Sequence, residues 1–228
     1  MALNYPANIM ATPNKPVTTS TKSATLVGRP RGSSKEDTIA RLLPAARQLF
    51  AEKGYAQTTF KDVGAAIGIS HAALYSYFPA KLDLYLATLA DTQALLLPYY
   101  LDAIANGGSL RERIVGVLLA SADAHDRDSS ITGLLAAVPI EIRRHPELNE
   151  ALIGQNNDVI EALKGIFAEA KQTGEIQTEA SLDNLVTAFL GGGVGVALFQ
   201  YGMQNSDSLR EAMDVYVTMI EGLIFRAE

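Results

Sequence analysis

The regular spacing of apolar residues restricts this chain to a helical fold. Across most of its 228 residues, apolar side chains recur every three or four positions, as they do on one face of a helix. No segment alternates apolar and polar residues as a half-buried strand does, and no hairpin turn is evident. Capping-box spacings at Ser109 and Ser208 and breaks at Gly174 and Pro146 divide the pattern further. The sequence therefore predicts an all-α protein of about nine helices.

The first predicted helix begins where a polar segment ends. Residues 1–32 are rich in Thr, Ser, Asn, Pro and Lys and have no apolar period, which predicts a disordered arm. Ser33 stands three residues before Glu36, a capping-box spacing, and the apolar period that follows continues to Gly54. Pro44 interrupts this pattern, so we expect a kink there.

Two short helices with a tight turn between them are predicted next. Thr59 opens the first with another capping-box spacing, and Gly68 ends it. Ser70 then caps a helix over residues 70–77, whose buried side is marked by Leu74. This arrangement is typical of a helix-turn-helix, whose second helix enters the major groove of DNA.

The outward side of the second helix carries side chains that suit contact with DNA. At about 100° per residue, His71, Ala72, Tyr75 and Ser76 lie away from Leu74. His71 and Ser76 can hydrogen-bond base edges or phosphates, Tyr75 can reach a phosphate oxygen, and the small Ala72 permits close approach. The alternative for His71 is a solvated polar residue without a partner.

Charge is distributed unevenly along the chain. Residues 1–81 contain ten Lys or Arg and four Asp or Glu, a net charge of +6, whereas residues 82–228 carry −12. A basic head on an acidic body favours binding of a polyanion, and the largest cellular polyanion is nucleic acid. A chance gradient of charge is the alternative.

One continuous segment resembles a known family. Residues 50–84 read FAEKGYAQTTFKDVGAAIGISHAALYSYFPAKLDL and resemble the DNA-binding domain of the TetR family of bacterial transcriptional regulators. The matching positions are Phe50, Gly54, Tyr55, Thr58, Thr59, Val63, Gly68, Ile69, Ser70, Leu74, Tyr75, Tyr77, Phe78, Lys81 and Leu84. The chain departs from the family pattern at Gly64, Ile67, Ala72 and Leu82.

The resemblance implies a homodimeric repressor that reads a palindromic operator and is released from it by a small-molecule effector. It implies that Thr59 and Lys81 contact phosphates, that residues 70–77 are the recognition helix, and that Tyr75 and Tyr77 contact the DNA backbone. Thr59 at a helix N-terminus and Lys81 in the first turn of the next helix also suit an anion on physical grounds. Tyr77 lies near the core side, so plain packing is its alternative.

A short basic segment precedes the helix-turn-helix. The sequence Gly28-Arg29-Pro30-Arg31-Gly32 resembles the Gly-Arg-Pro core of arms that enter the minor groove. Proline keeps such a segment extended, and the guanidinium groups of Arg29 and Arg31 can follow the narrow groove of A·T-rich DNA. A basic linker is the alternative. The expected organisation is therefore an arm at 1–32, a DNA-binding domain at 33–80, and an effector-binding and dimerisation domain at 81–228.

A glycine cluster in the acidic body predicts close helix packing. Residues 191–195 contain four glycines inside a predicted helix, where each glycine costs up to about 1 kcal/mol relative to alanine. In the family that the segment resembles, the last two helices form a four-helix dimer interface. The predicted interface residues are Gly192, Gly195, Val196, Phe199, Met203, Met213, Tyr216, Ile220 and Leu223. A phosphate-cradling loop is a weak alternative, because no P-loop lysine or preceding strand is present.

The sequence indicates the effector pocket only weakly. Polar or aromatic insertions in the helices that line the pocket in this family are Tyr99, Tyr100, His125, Gln155 and Asn156. Most such residues are ordinary surface or core residues, so the identity of the effector is not predicted.

Composition excludes several other classes of protein. The chain has no cysteine and only three well-separated histidines, so thiol catalysis, disulfide scaffolds and a metal site are not expected, and no cofactor is predicted. We expect neither a signal peptide nor a membrane span, and we expect a cytoplasmic protein that is not an enzyme. Two alternatives remain: a non-regulatory architectural DNA-binding protein and, more remotely, a helical hydrolase using His125, Asp126 and Ser129.

Overall fold

All regular secondary structure in the described part of the chain is α-helix. The computed structural model describes residues 34–106, 108–152, 158–203 and 208–220. The helices within these ranges are α1 (Lys35–Gln57), α2 (Phe60–Ile67), α3 (His71–Leu74), α4 (Lys81–Asn106), α5 (Leu110–Arg127), α6 (Ser129–Arg144), α7 (Pro146–Leu152), α8 (Asp158–Thr173), α9 (Leu182–Met203) and α10 (Leu209–Ile220). The predicted all-α fold is confirmed, with ten helices in these ranges where about nine were expected.

The ends of α1 differ in detail from the sequence-based expectation. Ser34, and not Ser33, caps the helix: its Oγ accepts a hydrogen bond from Asp37 N at 3.0 Å, and Asp37 accepts one from Ser34 N at 2.9 Å. The backbone leaves the helical region at Gly54, where φ is 76°, while Pro44 stays within it. Pro44 has no N–H to donate to the carbonyl of Ala40. Both residues are exposed, so water can donate a hydrogen bond to that carbonyl instead.

The core of the helix-turn-helix continues into the body of the protein. Phe50, Tyr55 and Tyr85 pack together, with ring centroids 5.0 to 6.3 Å apart. The same apolar cluster includes Leu134 of α6 and Leu148 of α7, both essentially without exposure. The division of the chain at residue 80 stays a prediction, because this core spans it.

A second core holds the body together. Buried residues of α5, α8, α9 and α10 form it, and α9 packs against α6, α8 and α10. Met213 of α10 is only 1% exposed inside this core, and Val196 and Tyr216 are half-buried against it. All three residues therefore pack within one protomer, and their part in a dimer interface stays a prediction.

Gly192 also serves contacts within the protomer. A Cβ built on Gly192 would overlap the hydroxyl of Tyr216 on α10, whereas a Cβ on Gly195 would meet no atom within 4 Å. Gly192 thus lets the Tyr216 side chain lie against α9, and its part in a dimer interface stays a prediction. Gly195 is exposed and remains a candidate for that role.

The two glycines should respond in opposite directions to alanine. Gly195→Ala should raise the free energy of unfolding by about 0.5–1 kcal/mol, since alanine suits a helix better than glycine. Gly192→Ala must displace Tyr216 and should be less stable than Gly195→Ala by about 1–3 kcal/mol. Chemical denaturation of both variants measures the difference, and equal stabilities would contradict the α9–α10 packing.

Candidate functional site

The turn between α2 and α3 is held by short-range hydrogen bonds. Thr59 Oγ1 accepts a bond from Asp62 N at 3.2 Å, and Gly68 ends α2 with φ 76°. Ile69 N then donates to Gly64 O at 2.9 Å, and a Cβ on Gly64 would lie 2.7 Å from the carbonyl oxygen of Ile69. Glycine at position 64, where the family pattern has alanine, therefore permits the close approach of the Ile69 backbone. This approach sets the orientation of α3 relative to α2.

The recognition helix is shorter than expected. Only residues 71–74 are α-helical, and the chain continues to Tyr77 in turns. Ser76 contributes to this early end, because its hydroxyl donates to Ala73 O at 2.6 Å and competes with helix continuation. The predicted outward face is nevertheless present: His71, Ala72, Tyr75 and Ser76 are exposed, and Leu74 is fully buried.

The two tyrosines of this segment have different surroundings. Tyr75 is 57% exposed, and its ring packs edge-on against Phe60 with centroids 4.8 Å apart. That contact holds the ring while leaving its hydroxyl at the surface. Tyr77 is half-buried against the first core, so packing explains it without a DNA contact.

Both predicted phosphate contacts are engaged within the protein. Thr59 Oγ1 donates to Asp62 Oδ2 at 2.6 Å, and this carboxylate occupies the N-terminus of α2. Hydrogen bonds from Thr59 and Lys53 lower the pKa of Asp62, so it is charged at neutral pH. An incoming phosphate would therefore meet a carboxylate at this helix end.

Lys81 has a structural role at the end of α1. Its ammonium donates to Tyr55 O at 2.8 Å and Ala56 O at 3.0 Å, and it lies 4.5 Å from the centre of the Tyr55 ring. Burial lowers the pKa of Lys81. Sequence reasoning missed Lys61, which is exposed in the first turn of α2 and forms no ion pair within the described residues. A phosphate contact by Lys81 stays a prediction, as do contacts by Arg29 and Arg31, which lie outside the described residues.

An apolar cavity lies among the later helices of the chain. A groove of about 740 Å³ runs between α4, α6, α8 and α9, next to a smaller chamber of about 120 Å³. The two spaces share Leu96, Tyr100, Leu135, Leu190 and Val194 as lining residues. Apart from Asp158 and Tyr100, their described lining has no ionisable side chain. The cavity suits an elongated apolar molecule.

Of the predicted effector-pocket residues, only Tyr100 lines this cavity. Tyr99, next along α4, points to a separate cleft, where Arg127 lies 5.3 Å from its ring centre. His125 lines a polar cleft at the start of α6. Neither residue lines the apolar cavity, and an effector contact by either one stays a prediction. Gln155 and Asn156 lie outside the described residues.

The hydrolase alternative finds no support in the polar cleft. His125 shares it with Asp126 and Ser129, but no hydrogen bond between them is present in this described region. His125 Nδ1 is buried without a partner, although a catalytic triad would orient that atom with a carboxylate. Burial also lowers the pKa of His125. No group of three metal-ligating side chains occurs among the residues described.

Two polar contacts connect α6 to the DNA-binding part. At its start, Arg47 of α1 donates to Asp128 Oδ2 at 2.7 Å and to Ser130 Oγ at 3.1 Å. At its end, the buried Glu141 accepts a bond from Tyr55 N at 3.2 Å. The cavity-facing residues of α6 lie between these two contacts. Displacement of α6 by a ligand would therefore act on α1.

An apolar stripe remains exposed on α9 and α10. Phe199 is 70% exposed and Met203 63%, and Gly195 and Ile220 lie on the surface with them. Leu223 lies outside the described residues. By length and composition alone, α9 could also cross a membrane, with 22% of its most apolar window buried. Such a stripe equally suits a helix that meets another protein surface.

Comparisons with known proteins place these features in context. A sequence profile described as bacterial regulatory proteins of the tetR family matches residues 42–88. An HTH-type transcriptional regulator of Mycobacterium bovis is 30% identical over 150 residues, covering 63% of this chain and 68% of that protein. The repressor KstR2 of Rhodococcus jostii is 25% identical over 191 residues, covering 82% and 91%. FadR of Bacillus subtilis, solved in complex with stearoyl-CoA, matches in fold with a TM-score of 0.67 and 19% identity, covering 82% of this chain and all of that one.

The contact between Arg47 and Asp128 should make stability depend on pH. Burial alone would raise the pKa of Asp128, but hydrogen bonds from Ser130 and Arg47 outweigh it and lower the pKa. The stabilisation is therefore present above about pH 4 and is lost as the pH falls through the lowered value. Asp128→Asn should lower the free energy of unfolding by about 2–3 kcal/mol at pH 7 and flatten its acid dependence.

Urea denaturation over a pH series measures this effect. Asp126→Asn is the matched control, because Asp126 is exposed and next but one in sequence, and it should change stability by less than about 0.5 kcal/mol. Equal effects of the two substitutions would show that Asp128 does not hold Arg47.

Proposed function

This chain belongs to the TetR family of bacterial transcriptional regulators, and we propose that it is a repressor that binds a palindromic operator as a homodimer and is released by an apolar effector. It acts by binding, without catalysis, and works in the cytoplasm, where its DNA is. The exposed face of α3, set by the buried Leu74 and the Gly64 turn, is the observation that carries this proposal.

The DNA contact is assigned to the outward residues of α3. His71 and Ala72 lie in its first turn, the part of a recognition helix that meets base edges. Tyr75 and Ser76 follow on the same exposed side and reach toward the sugar-phosphate backbone. Lys61, exposed one helix earlier, supplies a phosphate contact that Lys81 is less free to make.

Dimerisation is assigned to the exposed stripe of α9 and α10. Gly195 leaves open space beside it, so a second backbone can approach closely there, and Phe199, Met203 and Ile220 supply apolar area around it. A palindromic operator needs two recognition helices at one fixed separation, which a two-fold dimer provides.

The effector is assigned to the apolar groove and its chamber. A cavity that is lined mainly by apolar side chains favours a lipid-like molecule over a sugar or a charged metabolite. Two relatives support an apolar moiety, since FadR was solved with stearoyl-CoA, which carries an apolar acyl chain, and KstR2 of Mycobacterium tuberculosis is described as a ketosteroid regulator. Occupation of the cavity displaces α6, which draws α1 with it through Arg47 and Glu141.

Paired substitutions at Tyr75 test the DNA-binding face. Selection of bound fragments from genomic DNA should first yield a palindrome to serve as the probe. Tyr75→Phe keeps the ring against Phe60 and should weaken operator binding with no loss of stability, because only the hydroxyl is removed. His71→Ala should cost about 1–3 kcal/mol of operator affinity and relax specificity.

Fluorescence anisotropy at several salt concentrations measures both effects. Gln172→Ala, an exposed substitution on α8, is the control and should bind like the parent. If Tyr75→Phe and His71→Ala also bind like the parent, α3 is not the recognition helix. Binding that no apolar compound releases would favour an architectural role.

A charge placed in the exposed stripe tests the dimer. Phe199→Glu should convert the protein to monomers and reduce operator affinity at least tenfold, although no DNA-contacting residue is changed. Leu101→Glu is the matched control, because Leu101 is an exposed apolar residue on α4, outside the stripe. Analytical ultracentrifugation and operator binding are measured together. A dimeric Phe199→Glu variant with normal DNA binding would place the interface elsewhere.

A further inference from the structure

Three hydroxyl groups line the inner chamber, in a wall that is otherwise apolar. They belong to Tyr100 of α4, Ser121 of α5 and Thr132 of α6, so they reach the chamber from three different helices. The larger groove outside contains only Tyr100 of these three. The chamber is also the more deeply buried of the two spaces, because Phe189 and Met213 in its wall are buried.

Two of the hydroxyls are connected in a chain. Ser121 Oγ donates to Val117 O at 3.0 Å, so its own proton is used and it accepts the proton of Tyr100, whose hydroxyl lies 2.7 Å away. Tyr100 then keeps a lone pair as an acceptor. Burial raises the pKa of Tyr100, so its hydroxyl stays protonated.

The third hydroxyl has no partner. Thr132 is 8% exposed, and within the described parts of the chain its Oγ1 forms no hydrogen bond. A helical threonine commonly bonds the carbonyl four residues earlier, and Thr88 and Thr92 of this protein do so at 2.7 Å. The Thr132 hydroxyl is therefore available to bond a group that enters the chamber.

The chamber is suited to an uncharged oxygen atom. Thr132 offers a donor and Tyr100 an acceptor, which together match an alcohol, and a ketone oxygen can accept from Thr132 alone. No lysine, arginine or histidine is among the described lining residues of the chamber or the groove. A carboxylate or phosphate at the leading end of an effector would therefore be buried in the chamber without a counter-ion, so a charged group must lie at the trailing end, outside the chamber.

We propose that the chamber selects effectors whose leading end carries a hydroxyl or keto oxygen on an otherwise apolar skeleton, with Thr132 as the residue that determines this specificity. The proposal rests on the proposed function, in which the groove and chamber hold an apolar effector. A simple hydrocarbon tail leaves Thr132 unpaired, whereas an oxygenated tail pairs it and replaces any water held there.

Saturated fatty acids from decanoate to octadecanoate and their ω-hydroxy counterparts test this specificity. Each is titrated against the full-length protein by displacement of anilinonaphthalenesulfonate. At the chain length that binds best, the ω-hydroxy acid should bind roughly three- to tenfold more tightly than the plain acid, as one added hydrogen bond predicts. Thr132→Val, which keeps the shape but not the hydroxyl, should remove this preference, and Thr132→Ser should retain it.

The control variant is Thr187→Val. Thr187 lines the outer groove only, so its loss should leave the preference unchanged. If neither series displaces the dye, the apolar effector is wrong and the specificity proposal fails with it. If both series bind equally well, or Thr132→Val keeps the parent's preference, the specificity proposal alone is overturned and the apolar effector stands.

Discussion

The burial of Arg47 is the constraint on which the rest of the structure depends. This side chain belongs to α1, yet it is only 5% exposed and finds its partners in the body of the protein: Asp128 at 2.7 Å, Ser130 at 3.1 Å and Asp91 at 3.5 Å. A buried guanidinium that loses its carboxylate costs several kcal/mol, so α1 and the start of α6 must stay together. The DNA-binding part is thus attached to α6 by a contact that tolerates little separation.

Helix α6 also forms a wall of the cavity. Its attachment to α1 therefore connects the cavity with the DNA-binding part. Thr132 and Leu135 line the cavity, two and five positions after Ser130, whose hydroxyl accepts a hydrogen bond from Arg47. A ligand shifts an equilibrium only by its difference in affinity between two states, so an effector must fit the cavity better when α6 has moved. Contact with Thr132 on α6 is one source of such a difference, because it acts on the helix that the proposed mechanism displaces.

Sequence reasoning succeeded where structure is local and failed where partners are distant. The capping of α2 by Thr59, the left-handed Gly68 and the outward face of α3 depend on residues within four positions of one another. The partners of Arg47 lie 44 to 83 positions away, and nothing near it in sequence marks it as buried. The contacts of Lys81 with Tyr55 and of Gly192 with Tyr216 were not predicted for the same reason, because they arise only from tertiary packing.

A second contact attaches α6 to α1, at the C-terminal end of α6. Gly54 carries φ 76°, and a Cβ there would lie 2.7 Å from Glu141 Oε1, so glycine is required for both the bend and the approach. The bend directs Tyr55 N at that carboxylate, and His145 Nε2 lies 3.3 Å from its other oxygen. Because Arg47 and Glu141 hold opposite ends of α6, a shift of this helix cannot be absorbed by pivoting about a single contact. It must turn α1, and with it α2 and α3, relative to the partner's recognition helix in the proposed dimer.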